Sequence, residues 1–338
     1  MKYFLLFIGF AVCQQAVGQQ PGPATVYFTT KENNRVHVDS VYQYQCAAFD
    51  SSGNTLSFSA DGLPAWLTFN ATSRTLTGKP LKAGQYPVTL AVSNGKVKAY
   101  QRFMLTVYNK STVNILCIGN SITNGTNKFN SYRRALWQML HKGGYNIDMI
   151  GSWSKHHAGG DVPSPDFDMD HDGHSGWTAE HIFNPPDWDS ARGNINQWLT
   201  TYHPDIVLVE LGTNDVFQCR KATDVIANFA TLVNLLRTNN SAVKIFIAQI
   251  PPLGDEWAPK KLCGDSVMYD TRIRELNKDI LAFTKQHFTT QSPVIAVDQY
   301  NGVTPRTDMY DDIHPNNIGE KSMAERWFNA IKKYLKPL

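Results

Sequence analysis

Val113-Asn114-Ile115-Leu116-Cys117-Ile118-Gly119-Asn120-Ser121-Ile122-Thr123-Asn124-Gly125 is the stretch whose reading decides the fold. The apolar run Val113–Ile118 stops at Gly119, and a lone serine follows two residues later. That is the pattern of a buried strand delivering Ser121 into a glycine-punctuated turn, where α/β sheets keep their ligand sites. A serine by itself is most often a turn or cap residue. Two distant stretches give this one weight: Gly212-Thr213-Asn214-Asp215 after a second apolar run, and Asp311-Asp312-Ile313-His314-Pro315 near the C-terminus. Ser, Asp and His in that chain order are one known way to assemble a nucleophile, its base and an orienting carboxylate.

Outward from Val113, apolar runs rich in β-branched residues alternate with helical stretches. The runs are Val113–Ile118, Ile147–Ile150, Ile206–Leu211, Ile245–Ile250 and Val294–Val297. Tyr132, Leu136, Met139 and Leu140 recur at helical spacing, as do Val225, Phe229, Leu232 and Leu236, then Ile273, Leu276, Ile280 and Phe283. A last helix is expected over about Ile318–Tyr334. Strand and helix alternating five times predicts a three-layer α/β/α sandwich around a parallel five-stranded sheet, spanning 113–338. On that sheet Ser121, Asn214 and His314 all fall beyond strand C-termini, so one crevice can hold them.

Upstream, from about Ala24 to Val107, the texture is all-β. Tyr42–Cys46, Leu56–Phe58, Pro87–Val92 and Phe103–Val107 are short runs separated by turn signals such as Ser52-Gly53-Asn54 and Asn94-Gly95. This spacing predicts a β-sandwich over 19–108 with a linker at 109–112. It carries no cluster fit for catalysis, and Trp66 is expected in its core. Met1–Gly18 has the basic start, short apolar stretch and small residues of a secretory signal peptide. The expectation is therefore a secreted chain, extracellular or periplasmic, with no membrane association after cleavage. A net charge of +3 over 338 residues, with no basic run, argues against nucleic acid as a partner. In an oxidising compartment Cys219 and Cys263, each just beyond an apolar run, are expected to pair, and Cys117 to be a buried free thiol.

The chemistry follows from residue types. Attack on an ester needs Ser121 beside a base, and His314 titrates in the right range. Asp311, three residues earlier, can take the other ring N–H, with Asp312 as local competitor. A developing oxyanion needs donors: the Ser121 amide, a glycine amide from another loop and the Asn214 side chain.

On these blocks the catalytic half resembles the SGNH (GDSL-type) hydrolase superfamily. Gly119-Asn120-Ser121, Gly212-Thr213-Asn214-Asp215 and Asp311-Asp312-Ile313-His314-Pro315 match its first, third and fourth blocks. The resemblance implies a flavodoxin-like sheet and an oxyanion glycine, assigned to Gly176, with Gly151 second. Asn120, Asp215 and Trp177 are then supporting residues, and no cofactor is implied. Asn120 departs from the family's usual Asp. Asp170-His171-Asp172-Gly173-His174-Ser175-Gly176-Trp177 and Arg133-Arg134-Ala135-Leu136-Trp137 resemble carbohydrate esterase family 3, which implies an acetylated polysaccharide as substrate. The upstream stretches Asp50–Phe58, Leu63–Leu67 and Thr75–Pro80 resemble cadherin-like Ig modules, implying a spacer or a dock for polysaccharide or protein.

Rival readings are specific. Ser175 lies in Gly173-His174-Ser175-Gly176, but no apolar strand precedes it. Asp168, Asp170 and Asp172 imitate the start of a calcium loop whose closing acid should fall at Ala179, with Glu180 one place late. His171 and His174 would favour zinc instead. A lipase-type acyl esterase is the competing enzyme, and a catalytically degenerate binding protein is the competing non-enzyme. Asn70-Ala71-Thr72 and Asn124-Gly125-Thr126 are sequons.

Overall fold

The computed structural model describes residues 25–156, 159–160 and 162–336; the expected signal peptide, 1–18, lies outside them. The N-terminal half is built from β1 (Val26–Phe28), β2 (Arg35–His37), β3 (Tyr42–Gln45), β4 (Ala48–Asp50), β5 (Ser57–Asp61), β6 (Leu67–Asn70), β7 (Thr75–Gly78), β8 (Gly84–Ser93) and β9 (Lys98–Tyr108). A sheet in the order β2-β9-β8-β5 faces a sheet β3-β7-β6, and β1 pairs with β4 at the side. Side chains alternate between core and solvent, as in Tyr42 and Tyr44 of β3, both buried beside exposed Gln43 and Gln45. Leu76, Leu90, Leu105 and Val107 fill the interior, and Trp66 packs against that cluster, edge-on to Tyr86.

β9 leads through a turn at Asn109–Thr112, closed by Thr112 N–H donating to Asn109 O (3.1 Å), into β10 (Val113–Gly119). The remaining strands are β11 (Ile147–Ile150), β12 (Asp172–Gly173), β13 (Ile206–Glu210), β14 (Lys244–Gln249) and β15 (Val294–Asp298). They pair in parallel in the order β11-β10-β13-β14-β15. The expected five-stranded sheet gains a sixth member. β12 pairs with the last two residues of β10, beyond the end of β11. Two polar or small residues make no hydrophobic run, so periodicity could not announce this strand.

The helices are α1 (Ser121–Asn124), α2 (Tyr132–Lys142), α3 (Ile195–Thr201), α4 (Thr213–Phe217), α5 (Ala222–Asn239), α6 (Tyr269–His287), α7 (Pro305–Asp308) and α8 (Asn317–Ile331), the last running into a 3₁₀ turn at Lys332–Tyr334. Val225, Phe229, Leu232 and Leu236 of α5 and Ile273, Leu276, Ile280 and Phe283 of α6 are buried on one face of the sheet. Leu136 and Leu140 of α2 with Met323 and Trp327 of α8 cover the other. Each such side chain contributes about 2 kcal/mol by leaving water. This is the three-layer arrangement, and it places the C-terminal ends of β10, β13 and β15 on one rim.

The two halves meet through half-buried polar contacts. Arg35 Nε lies 2.5 Å from Asp148 Oδ2. Asn34 donates to Asp170 (2.7 Å), Gln85 donates to Asp168 (2.9 Å), and Trp137 Nε1–H donates to Gln85 Oε1 (2.7 Å). Cys219 and Cys263 form a disulfide across the rim, while Cys46 and Cys117 are buried thiols. Closing a loop of 44 residues this way contributes about 4 kcal/mol in the chain-entropy treatment. Among the described residues no helix is long and apolar enough to cross a membrane.

Candidate active site

Gly119 ends β10 where only a glycine fits, because a Cβ there would lie 2.1 Å from Thr123 Oγ1 and 2.8 Å from Glu210 O. That close approach lets the chain turn at once into α1. Asn120 caps the turn, its Oδ1 accepting from Ile122 N–H (2.8 Å), and Ser121 becomes the first helical residue. The far end of α1 is held by Arg133, a fully buried guanidinium that donates to Thr123 O (2.7 Å), Asn124 O (3.1 Å) and Met169 O (2.7 Å). A cation on the last carbonyls of a short helix satisfies them and complements its dipole.

His314 arrives on a turn closed by the bridge Met309↔Pro315 and by Tyr310 N–H donating to His314 O (3.1 Å). Asp311 makes that turn local: its Oδ1 accepts from Ile313 N–H (3.2 Å) and His314 N–H (2.7 Å). Its other oxygen, Oδ2, then lies 2.8 Å from His314 Nδ1. On the opposite side of the ring, Nε2 lies 2.8 Å from Ser121 Oγ. Asp312 turns away. It sits at φ +65°, its carboxylate accepts from Glu256 N–H (2.9 Å), and its carbonyl accepts from Gly254 N–H.

Asn214, in the first turn of α4, donates from Nδ2 to Trp177 O (2.9 Å), tying the β13 rim to the loop of Gly176. Gly176 adopts φ +82°, a left-handed conformation that favours glycine. Gly151 packs against the backbone of His171, on the β11–β12 side of the sheet. Asp215 is buried under the same loop, accepting from Ala179 N–H (3.1 Å), and burial pushes its carboxyl up to about 6. Trp177 is wholly buried, stacked on His174 (centroids 4.0 Å apart), with Nε1–H donating to Asp189 (3.0 Å). Ser175 accepts from Asn124 Nδ2 at 3.4 Å.

The acidic stretch has other employment. Asp168 and Asp170 take donors from the N-terminal module, and Asp172 is bonded to Ser152. Glu180, the late acid of the calcium-loop pattern, pairs with Arg220 (2.8 Å). Among the described residues no three His, Cys, Asp or Glu side chains gather in a group that could hold a metal ion. The sequon asparagine Asn124 is buried and Asn70 is exposed.

Three contributors have no role that the sequence pattern assigns. Arg133 belongs to a stretch that resembles carbohydrate esterase family 3, but nothing there marks it as the buried support of α1. Tyr310 stacks on His314 (5.8 Å) and on Phe129 (4.4 Å), walling one side of the base. Glu210, at the end of β13, is buried with neither carboxylate oxygen hydrogen-bonded, and burial pushes it up to about 8. A scan for paired carboxylates would not find it, because no group pairs with its carboxyl; only its main-chain carbonyl is engaged, accepting from Asn120 N–H (3.2 Å).

The arrangement is one that can transfer a proton from a hydroxyl to an imidazole while a carboxylate holds the opposite ring N–H. Residues 117–321 match the model of the GDSL-like Lipase/Acylhydrolase family, and residues 23–108 match an Ig-domain model. A multidomain esterase of Ruminococcus flavefaciens is 29% identical over 235 residues, which is 67% of this chain and 29% of that protein. The chain thus spans less than a third of the length of that curated relative. A family 3 carbohydrate esterase from Talaromyces cellulolyticus is 29% identical with a TM-score of 0.52, covering 66% of this chain and 97% of that one. A family 3 carbohydrate esterase from Clostridium thermocellum is 26% identical with a TM-score of 0.51, covering 66% and 96%. An acetyl esterase variant crystallised with acetate ion gives 29%, 0.52, 66% and 97%.

Proposed function

The chain belongs to the GDSL-like lipase/acylhydrolase family, and from that premise we propose that it is a secreted serine esterase that removes O-acetyl groups from carbohydrate. The observation that carries the reading is the relay Ser121 Oγ–His314 Nε2–Asp311, with 2.8 Å on either side of the imidazole. Asp311 accepts a hydrogen bond from Nδ1–H, which stays protonated, and so leaves the Nε2 lone pair facing Ser121. The serine proton moves to Nε2 as Oγ bonds to the acetyl carbonyl carbon. The carbonyl electrons shift to oxygen, which the Ser121 and Gly176 amides and the Asn214 amide group receive. One such donor supplies roughly 3 kcal/mol of transition-state stabilisation.

Collapse of this intermediate breaks the bond to the sugar oxygen, which leaves with the proton from His314. The acetyl group stays on Ser121 until water, deprotonated by the same imidazole, bonds to its carbonyl carbon; the bond to Oγ then breaks, Oγ takes the proton back from His314, and acetate leaves. The acetyl assignment is supported by the names of the acetyl esterase and family 3 carbohydrate esterases among its structural relatives. The Ig-like half is assigned as a spacer or dock for polysaccharide or protein.

The experiment is acetate release from a panel of acetylated glycans, beside p-nitrophenyl acetyl, butyryl and octanoyl esters. Release from an acetylated xylan-type glycan with preference for the acetyl ester is expected. Preference for the octanoyl ester with no glycan release would put a lipase-type activity in its place.

A further inference from the structure

The loop that carries Gly176 has an open aromatic shelf beside it. Trp188 is 61% exposed, whereas Trp177 and Trp198 nearby are 0% and 4% exposed. A side-chain carbon at Gly176 would lie 3.4 Å from Trp188 Cη2, so the indole edge borders the glycine that we assign to the oxyanion site.

The shelf is held rather than hung. Pro185-Pro186 precedes it, restricting the backbone, and Asp189 N–H donates to Pro186 O (2.8 Å). Asp189 then accepts from Trp177 Nε1–H (3.0 Å) and Arg192 Nε–H (3.1 Å). Arg192 lies over the Trp153 ring at 3.3 Å and its carbonyl accepts from Trp198 Nε1–H (3.0 Å). The neighbouring residues of the 3₁₀ turn Asp187–Arg192 are thereby tied to the site loop, and the one large apolar side chain among them is left facing water.

We propose that Trp188 is the sugar-binding platform of the site, stacking against a pyranose ring of the acetylated substrate and setting specificity for glycan over simple esters. This rests on the carbohydrate reading above and deepens it. A pyranose has a flat C–H face that suits an indole and a rim of hydroxyls that need polar partners. The shelf offers both, since Asn184, Asp187 and Ser190 are exposed around it. A long acyl chain would gain little on such a ledge, because one face of the chain stays wet and the flanking groups are polar. A rigid platform also spares the ordering that a mobile aromatic side chain would require on binding.

The test compares wild type, Trp188→Ala and Trp188→Phe on an acetylated xylo-oligosaccharide and on p-nitrophenyl acetate. Trp188→Ala should raise KM for the oligosaccharide about tenfold with kcat held, so that its selectivity for glycan over the small ester falls by about the same factor. Trp188→Phe should recover most of that loss. An unchanged oligosaccharide KM, or equal losses on both substrates, overturns the platform. A wild-type enzyme that cleaves p-nitrophenyl acetate but no acetylated glycan overturns the substrate class first, and the platform's occupant with it.

Discussion

At the scale of single residues, the chemistry rests on how Asp311 divides its two oxygens. One closes its own turn on the amides of Ile313 and His314, and the other faces the imidazole. Asp311→Asn keeps an acceptor for the turn but sets an amide N–H opposite Nδ1, which favours the tautomer with its proton on Nε2. That tautomer has no lone pair for the serine proton. A fall in kcat on the order of a hundredfold or more is expected for p-nitrophenyl acetate. Asp312→Asn, read in the same assay, should change it by no more than a few fold. Ser121, Asn214 and His314 were legible in the sequence because each lies beyond the end of an apolar run. Asp311, expected from its place three residues before His314, is the acid that the turn presents to the ring, because a backbone at φ +65° swings its competitor Asp312 towards Glu256. The roles of Arg133 and Tyr310 were illegible for a related reason, since they lie in backbone carbonyls and ring faces that no spacing encodes.

At the scale of elements, β13 delivers more than the rim of Asn214. Its last residue, Glu210, pairs in register with Gly119, two residues before the nucleophile. Burial without a hydrogen bond raises its carboxyl from 4.5 to about 8. A raised acid binds its proton more tightly in the folded state, so its penalty is absent below the unfolded value and grows as pH rises, reaching its full size above about 8. Glu210→Gln removes this dependence while keeping the volume. Between about pH 6 and pH 9 its unfolding free energy should gain on wild type by roughly 2–3 kcal/mol, read by urea titration at both values. A constant difference between variant and wild type would show the carboxyl already solvated. The five long strands were legible as apolar runs, but β12 was not: Asp172-Gly173 is a strand only because Ile118 and Gly119 offer it an edge.

At the scale of the whole molecule, two of the three acids that look like a metal loop in sequence, Asp168 and Asp170, lie instead in the seam between two halves, where Asp148 joins them. Asp148, Asp168 and Asp170 meet Arg35, Asn34 and Gln85, which lie more than sixty positions upstream. No local pattern could disclose those donors, and three alternating acids invited a calcium reading. Arg35→Ala leaves the buried Asp148 without its cation. The ion pair is half-open on the arginine side, so a loss of roughly 2 kcal/mol is expected, between the surface and fully buried limits, visible as a lower midpoint in thermal unfolding. Activity on small esters should persist in the folded fraction, since Asp148 pairs in register with Asn114, near the start of β10 and well before Ser121. The most direct test of Ser121 as the activated nucleophile is peptide mapping by mass spectrometry after reaction with a fluorophosphonate, which bonds covalently to such a serine. One adduct is expected, on the peptide containing Ser121, and His314→Ala should slow its formation. An adduct on Ser175 or elsewhere, or ester hydrolysis that survives Ser121→Ala, would contradict it.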